Sequence, residues 1–309
     1  MKVIVSGGSG LIGRSLVAGL AADGHRATVL SRAPDRLRDL PASVTAAAWD
    51  AKSAAALTPL VAGADAVVHL AGEGIADGRW SAERKRRIRD SRVDSSAAVA
   101  AAIAAAEPRP SVLLQASAVG FYGPRGAEEL TEQSASGDDF LAEICRQWEE
   151  ASAAVEDLGV RRALLRTGVV LAREGGALPK MLLPFRLFAG GPVGSGRQYM
   201  PWIHLADEVG AIRFLLDSET ASGPFNLTAP EPLTNKQFGR ILGRVLRRPS
   251  FMPAPAFALE LALGEMSKLL LEGQRALPHR LEEAGYRFRF PDLEAALRDL
   301  VLLDAGTGM

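Results

Sequence analysis

Apolar and polar positions along this chain alternate between two periods. Val3-Ile4-Val5 is a short apolar run, followed by Ser6-Gly7-Gly8-Ser9-Gly10-Leu11-Ile12-Gly13. Apolar positions then recur at helical spacing through Leu16, Leu20 and Ala22. A second apolar run over 27–30 ends at Ser31-Arg32. The order is strand, glycine turn, helix, strand. The same grammar continues downstream. Strands are expected over 44–50, 66–70, 111–116 and 162–166, the last followed by Thr167 to Leu171, and helices over 53–61, 81–106 and 140–158. Strands and helices in alternation predict an α/β fold, a doubly wound parallel sheet with right-handed crossovers.

From about Gly175 the pattern changes. Gly175-Gly176, Gly190-Gly191-Pro192 and Gly194-Ser195-Gly196 punctuate the chain, and Trp202-Ile203-His204 leads into a helix with Asp207 near its start. Phe225-Asn226-Leu227 reads as a strand returning to the main sheet, and Phe288 to Phe290 as a local pairing. The division expected is a sheet domain over 1–171, with a returning segment near 203–228. A smaller, mostly helical lid takes 172–202 and 229–309.

The glycine turn carries the first chemistry. Gly7 permits the tight turn, Gly10 lets backbone approach a pyrophosphate, and Gly13 lets the helix pack on the strand. Free N–H groups of Leu11 and Ile12, with the helix dipole and Ser9 beside them, attract a diphosphate. An NAD site commonly ends its second strand in a carboxylate. Here that place is Ser31, followed by Arg32 and Arg36, with Arg38 solvating a helix face. A guanidinium there suits a 2′-phosphate, so the expected cofactor is NADP(H). Leu70-Ala71-Gly72-Glu73 closes the fourth strand with small residues where a dinucleotide crosses the sheet. In the basic helix that follows, Lys85, Ile88 and Arg92 share one side, which makes Arg92 a candidate active-site cation.

Composition narrows the field. The chain has 309 residues, with 36 basic and 36 acidic side chains, so no nucleic-acid or membrane footprint is expected. One cysteine, Cys145, and four scattered histidines offer no disulfide and no metal site. The first strand begins at the N-terminus without a signal peptide, and the expected compartment is the cytoplasm.

With these residues in place, the chain resembles the extended short-chain dehydrogenase/reductase (SDR) superfamily, which has a Rossmann fold. Within it, the chain is similar to the branch labelled NAD-dependent epimerase/dehydratase family, some of whose members carry a cell-division-inhibitor label. The resemblance rests on Gly7 to Gly13, Leu70 to Glu73, Trp148-Glu149, Leu165 to Leu171, Met181 to Arg186, Pro201 to His204 and Leu271 to Gln274. It implies cofactor contacts at Arg92, Ala116, Ser117, Arg166 and Gly168 as well as the glycine loop, with Arg92 at a place that often holds a structural Asn. It implies a substrate pocket at Lys180, Pro184 and Trp202, with Arg186 nearby. It also gives His204 and Asp207 the task of tying lid to sheet.

The departure lies in the chemistry. The superfamily uses a Tyr with a Lys four residues later, the Lys lowering the phenol pKa. None of the three tyrosines here, Tyr122, Tyr199 and Tyr286, has that Lys. Aligned on the helix end at Gly159 and the strand end at Arg166, the Tyr and Lys positions fall on Leu141 and Cys145, and the hydroxyl position on Ala118. Tyr122 becomes the candidate acid, with packing as its alternative, and Ser117 a neighbouring donor. Three functions follow. One is an NADP(H)-dependent oxidoreductase on an unknown small molecule. The second is an NADPH-dependent regulator with a protein partner. The third, a sugar-nucleotide epimerase, would need the missing pair. The long helices also offer a face for a homodimer.

Overall fold

The computed structural model describes residues 1–37 and 40–302; Arg38 lies outside them. The N-terminal strands are β1 (Lys2–Ser6), β2 (Arg26–Ser31), β3 (Val44–Ala48), β4 (Ala66–His69) and β5 (Val112–Ala118). A two-residue strand β6 (Glu129–Leu130) precedes β7 (Arg161–Thr167) and β8 (Val169–Leu171). Then come β9 (Tyr199–Met200), β10 (Trp202–His204) and β11 (Gly223–Leu227). Seven of these form one parallel sheet in the order β11-β7-β5-β4-β1-β2-β3. The strand order reverses at β1, between β2 and β4, and that switch is where such sheets open a ligand crevice.

Helices cover both faces. Helices α1 (Leu11–Ala22) and α6 (Leu205–Asp217) pack on one face, against Val3, Val5, Val68, Leu114 and Leu165. Helices α2 (Ala54–Val61) and α3 (Ala82–Ala105) pack on the other, against Ile4, Val67 and Leu113. The near-continuous apolar strands follow from this two-sided burial. Ser81 caps α3, its Oγ accepting from the Arg84 N–H at 3.1 Å. The expected 140–158 helix is shorter. Helix α4 (Phe140–Glu150) ends at Ala151 and a 3-10 turn (Ala153–Leu158) follows. Ser152 sits in the break, with its hydroxyl donated inward to Gln115.

A third apolar cluster forms the lid. It joins α5 (Leu178–Arg186) and α7 (Asn235–Leu246) with Trp202, Leu233, Leu293 and Leu297. The division at residue 229 is not clean, because Leu281, Tyr286 and Phe288 pack on the main sheet's core. Residues 288–290 do not pair as a strand. Asp207 takes their backbone instead, accepting from Arg289 N at 2.7 Å and Phe290 N at 2.8 Å. His204 stacks on Phe290 with ring centres 4.0 Å apart. His204 and Asp207 therefore do tie the lid to the sheet. No helix among the described residues is long and apolar enough to cross a membrane.

Candidate functional site

The glycine loop is built by steric exclusion. Gly7 turns with φ +70°, and a Cβ on it would stand 2.7 Å from the Leu70 carbonyl carbon. No side chain fits between β1 and the end of β4. A Cβ on Gly13 would stand 2.2 Å from the Gly7 carbonyl oxygen, so α1 sits directly against the turn. Gly10 differs. A Cβ there would meet only the Gly7 oxygen, at 3.2 Å, with open space otherwise. Gly10 is also the N-cap of α1 and offers no side-chain oxygen to the helix start. The N–H groups of the first turn, at Leu11 and Ile12, are thus left for an external acceptor. Ser9 is exposed beside them. This cradle fits a dinucleotide diphosphate.

At the end of β2, Ser31 Oγ accepts from the Ala33 N–H at 3.1 Å and shapes the turn. Arg32 and Arg36 are exposed beyond it and form no ion pair among the described residues. Leu70, Ala71 and Gly72 line the neighbouring strand end. The Glu73 side chain is directed away from a cofactor role. Its carboxylate pairs with Arg84 and, at 3.4 Å, with Arg87, while its N–H is held by Ser91 Oγ at 3.1 Å. Glu73 moors the loop to α3.

The far side of the crevice corrects several expectations. Strand alternation leaves Ala116 and Ala118 half-buried and sends Ser117 inward. Ser117 Oγ donates to Glu149 Oε1 at 2.6 Å, so it faces α4 and not a substrate. Arg166 is 4% exposed and makes a two-point pair with Glu149, Nε to Oε1 and Nη2 to Oε2 both at 2.9 Å. Its guanidinium lies 3.5 Å from the Phe121 ring centre. It is a buried strut between β7 and α4, with no donor facing a cofactor. Tyr122 is fully buried. Its hydroxyl donates to Asn226 Oδ1 at 2.7 Å and accepts from Arg166 Nη1 at 3.1 Å. Burial pushes its phenol up to about 12. Tyr122 is a packing residue and not an acid at the rim. Gly168 is required by backbone crossing, since a Cβ there would stand 2.1 Å from the Pro201 carbonyl oxygen.

The expected substrate wall does not assemble. Trp202 is 1% exposed inside the lid core, with its indole N–H donated to the Glu231 carbonyl. Lys180, Pro184 and Arg186 are exposed on α5, whose other side buries Leu178, Leu182 and Phe185. The positions aligned with the lost pair do meet at the end of β5. A Cβ on Gly120 would lie 3.4 Å from Leu141 Cβ and 3.9 Å from Cys145 Sγ, and that thiol approaches the Ala118 carbonyl at 3.7 Å. Burial pushes the Cys145 thiol up to about 12, so it stays protonated.

Arg92 does face the crevice. Its guanidinium carbon lies 3.4 Å from where a Gly72 Cβ would stand and 5.0 Å from the Trp148 ring centre. Sequence reading assigned no role to Trp148, Glu132 or Asn226. Their partners are far along the chain, as in Arg92–Trp148, Glu132–Asn226 across 94 positions and Tyr122–Asn226 across 104. No three His, Cys, Asp or Glu among the described residues converge to hold a metal ion.

A doubly wound sheet, a glycine cradle at its switch point and a paired strand end with basic residues define a dinucleotide-binding protein of the Rossmann class. The chain belongs to the NAD dependent epimerase/dehydratase family, whose description matches residues 3–228; residues 254–300 match a domain of unknown function (DUF1731). It is 40% identical over 302 residues to the epimerase family protein YfhF of Bacillus subtilis, covering 97% of this chain and 98% of that one. It is 38% identical to the human epimerase family protein SDR39U1 over 305 residues, covering 97% and 100%. A crystal structure of human SDR39U1 (isoform 2) with NADPH superposes with a TM-score of 0.89 at 36% identity, covering 98% of this chain and all of that one. A UDP-N-acetylglucosamine 4-epimerase from Bacillus cereus shares the fold at 16% identity and a TM-score of 0.79.

Proposed function

We propose that this protein is an NADP(H)-dependent oxidoreductase acting on a small molecule. The observation that carries the reading is the cradle itself. Gly10 leaves open space before the uncapped start of α1, and Arg32 and Arg36 stand at the β2 end where an NAD site would hold a carboxylate. The human relative crystallised with NADPH supports that choice. The first-turn N–H groups would hold the diphosphate, Arg32 and Arg36 the 2′-phosphate, and Ala71, Gly72 and Ala116 would flank the rest of the cofactor. The dinucleotide supplies the hydride. The chain supplies no phenol or lysine beside it, since those positions are Leu141 and Cys145. The substrate's proton must come from solvent or from the substrate itself.

The same observation favours a second reading, an NADPH-binding regulator without turnover. Ala118, Leu141 and Cys145 present no group that exchanges a proton near pH 7. A ligand shifts a conformational equilibrium only by its differential affinity for the two states. The two readings separate in one experiment. The protein is loaded with NADPH deuterated at the transferable position and mixed with a small-molecule extract, and the label is followed by mass spectrometry. Deuterium on a metabolite establishes the reductase. Tight NADPH binding with all label retained, together with a partner captured only when NADPH is present, establishes the regulator.

A further inference from the structure

On the β4 to β7 side of the crevice the arginines neighbouring Arg92 are paired. Arg84 pairs with Glu73 and Arg166 with Glu149. Arg92 has no carboxylate within ion-pair distance among the described residues. Its one hydrogen bond runs from Nη1 to the Ile88 carbonyl at 2.9 Å. Nε and Nη2 meet no acceptor, and neither is sealed from solvent. A half-buried cation left unpaired is costly. Burial accordingly pulls its pKa down, and the Glu73 carboxylate opposes that only in part. The Trp148 ring centre lies 5.0 Å from the guanidinium carbon, within cation–π range. Gly72 lies against the guanidinium and Cys145 near it, and the Cys145 thiol in turn approaches Gly120 and the Ala118 carbonyl. A planar cation beside small and apolar neighbours can orient a ligand through a few polar contacts.

We infer that Arg92 is the substrate anchor and that it grips an oxyanion, a carboxylate or a phosphate ester, through its free Nε and Nη2 edge. The inference rests on the reductase reading, because it places the substrate in the same crevice as the cofactor. The planar fork of Arg matches both anions at two points, whereas Lys offers a single point charge. The lost Tyr position is Leu141, so no phenol competes for the substrate's oxygen. Substrate recognition at this strand end is then ionic, where the superfamily pattern would use hydroxyl groups.

The test uses the full chain loaded with NADPH, and NADPH affinity is measured first. Oxalate and inorganic phosphate are titrated separately while tryptophan fluorescence is followed, Trp148 being the reporter near Arg92. The expected result is a saturable change at millimolar anion in the wild type. Arg92→Gln should weaken it at least tenfold and Arg92→Lys should fall between, with NADPH affinity unchanged within twofold. A response to oxalate alone assigns a carboxylate, and one to phosphate alone a phosphate ester. No saturable response in the wild type, or an equal response in Arg92→Gln, overturns the inference. So does a tenfold loss of NADPH affinity in Arg92→Gln, which would make Arg92 a cofactor ligand. Failure of the wild type to bind NADPH strikes the reductase reading instead, and the anion titration on the unloaded protein still decides Arg92. Urea unfolding of each variant confirms that it is folded.

Discussion

Replacing Tyr122 by Phe separates a structural hydroxyl from a chemical one. The ring stays, so no cavity forms. What is lost is one oxygen that donates to Asn226 Oδ1 at 2.7 Å and accepts from Arg166 Nη1 at 3.1 Å. Asn226 Oδ1 has no other donor among the described residues, although its Nδ2 still reaches the Leu277 carbonyl at 2.9 Å. Arg166 Nη1 keeps only a long contact to the Glu132 carbonyl, at 3.4 Å. Leaving a buried acceptor and a charged donor short of partners costs about 1–3 kcal/mol. Equilibrium urea unfolding should therefore show a loss of roughly 2 kcal/mol. NADPH affinity should stay within twofold, and so should hydride transfer once a substrate is known. A spectroscopic titration adds a check. Because the folded-state phenol is raised to about 12, Tyr122 should remain protonated at pH 10–11. Its contribution to stability is complete below the unfolded value of 10 and is lost as pH rises toward 12. A stability loss below about 0.5 kcal/mol would refute the buried-network account. So would a tenfold fall in transfer with unchanged stability, which would restore Tyr122 as an acid.

Three further outcomes follow from the same geometry. Glu149→Ala leaves the Arg166 guanidinium buried without its carboxylate and should cost about 3–5 kcal/mol in urea unfolding, with Glu149→Gln milder; a loss under about 1 kcal/mol would contradict the strut. Glu208 is buried, accepts from Thr167 Oγ1 at 2.8 Å, and is raised by burial from 4.5 to about 8. The unfolded chain releases this proton first, so the wild type loses stability as pH rises from about 4.5 to 8. Glu208→Gln should be nearly neutral at pH 4.5 and stabilising at pH 8.5, and a pH-independent difference would count against it. Arg32→Glu should weaken NADPH at least tenfold while sparing NADH, as loss of a charge-assisted bond requires; equal losses for both cofactors would remove Arg32 from the 2′-phosphate site.

The cofactor half of the site was legible because it is local. Strand, glycine turn and helix lie within 22 consecutive residues, and Gly7 and Gly13 stand where backbone leaves no room for a Cβ while Gly10 leaves space before the helix. Register of the lost pair was also readable, since Leu141 and Cys145 do meet Gly120 and Ala118. Side-chain direction was not. Ser117 and Ala118 differ by one step along β5, and that step turns one inward and the other toward the crevice. The sequence around Tyr122 says nothing of Asn226, 104 positions away, which takes its hydroxyl. Trp202 misled for the same reason, because an aromatic beside a glycine-rich segment reads equally as pocket or core.

Asp207 has a mechanical consequence. The chain leaves the main sheet after Thr167, passes through the separate pair of β8 and β10, re-enters at β11, leaves again after Leu227, and packs back at Leu281 to Phe288 before the final helix. The last re-entry is clamped where Asp207, at the start of α6, holds three donors from residues 286–290. Helix α6 itself packs against α1, the helix that begins at the glycine cradle. A rotation of the lid about one hinge would have to bend every crossing at once. The clamp therefore opposes an independent rotation of the lid, and cutting the chain near residue 229 would bare the sheet core that Leu281, Tyr286 and Phe288 cover.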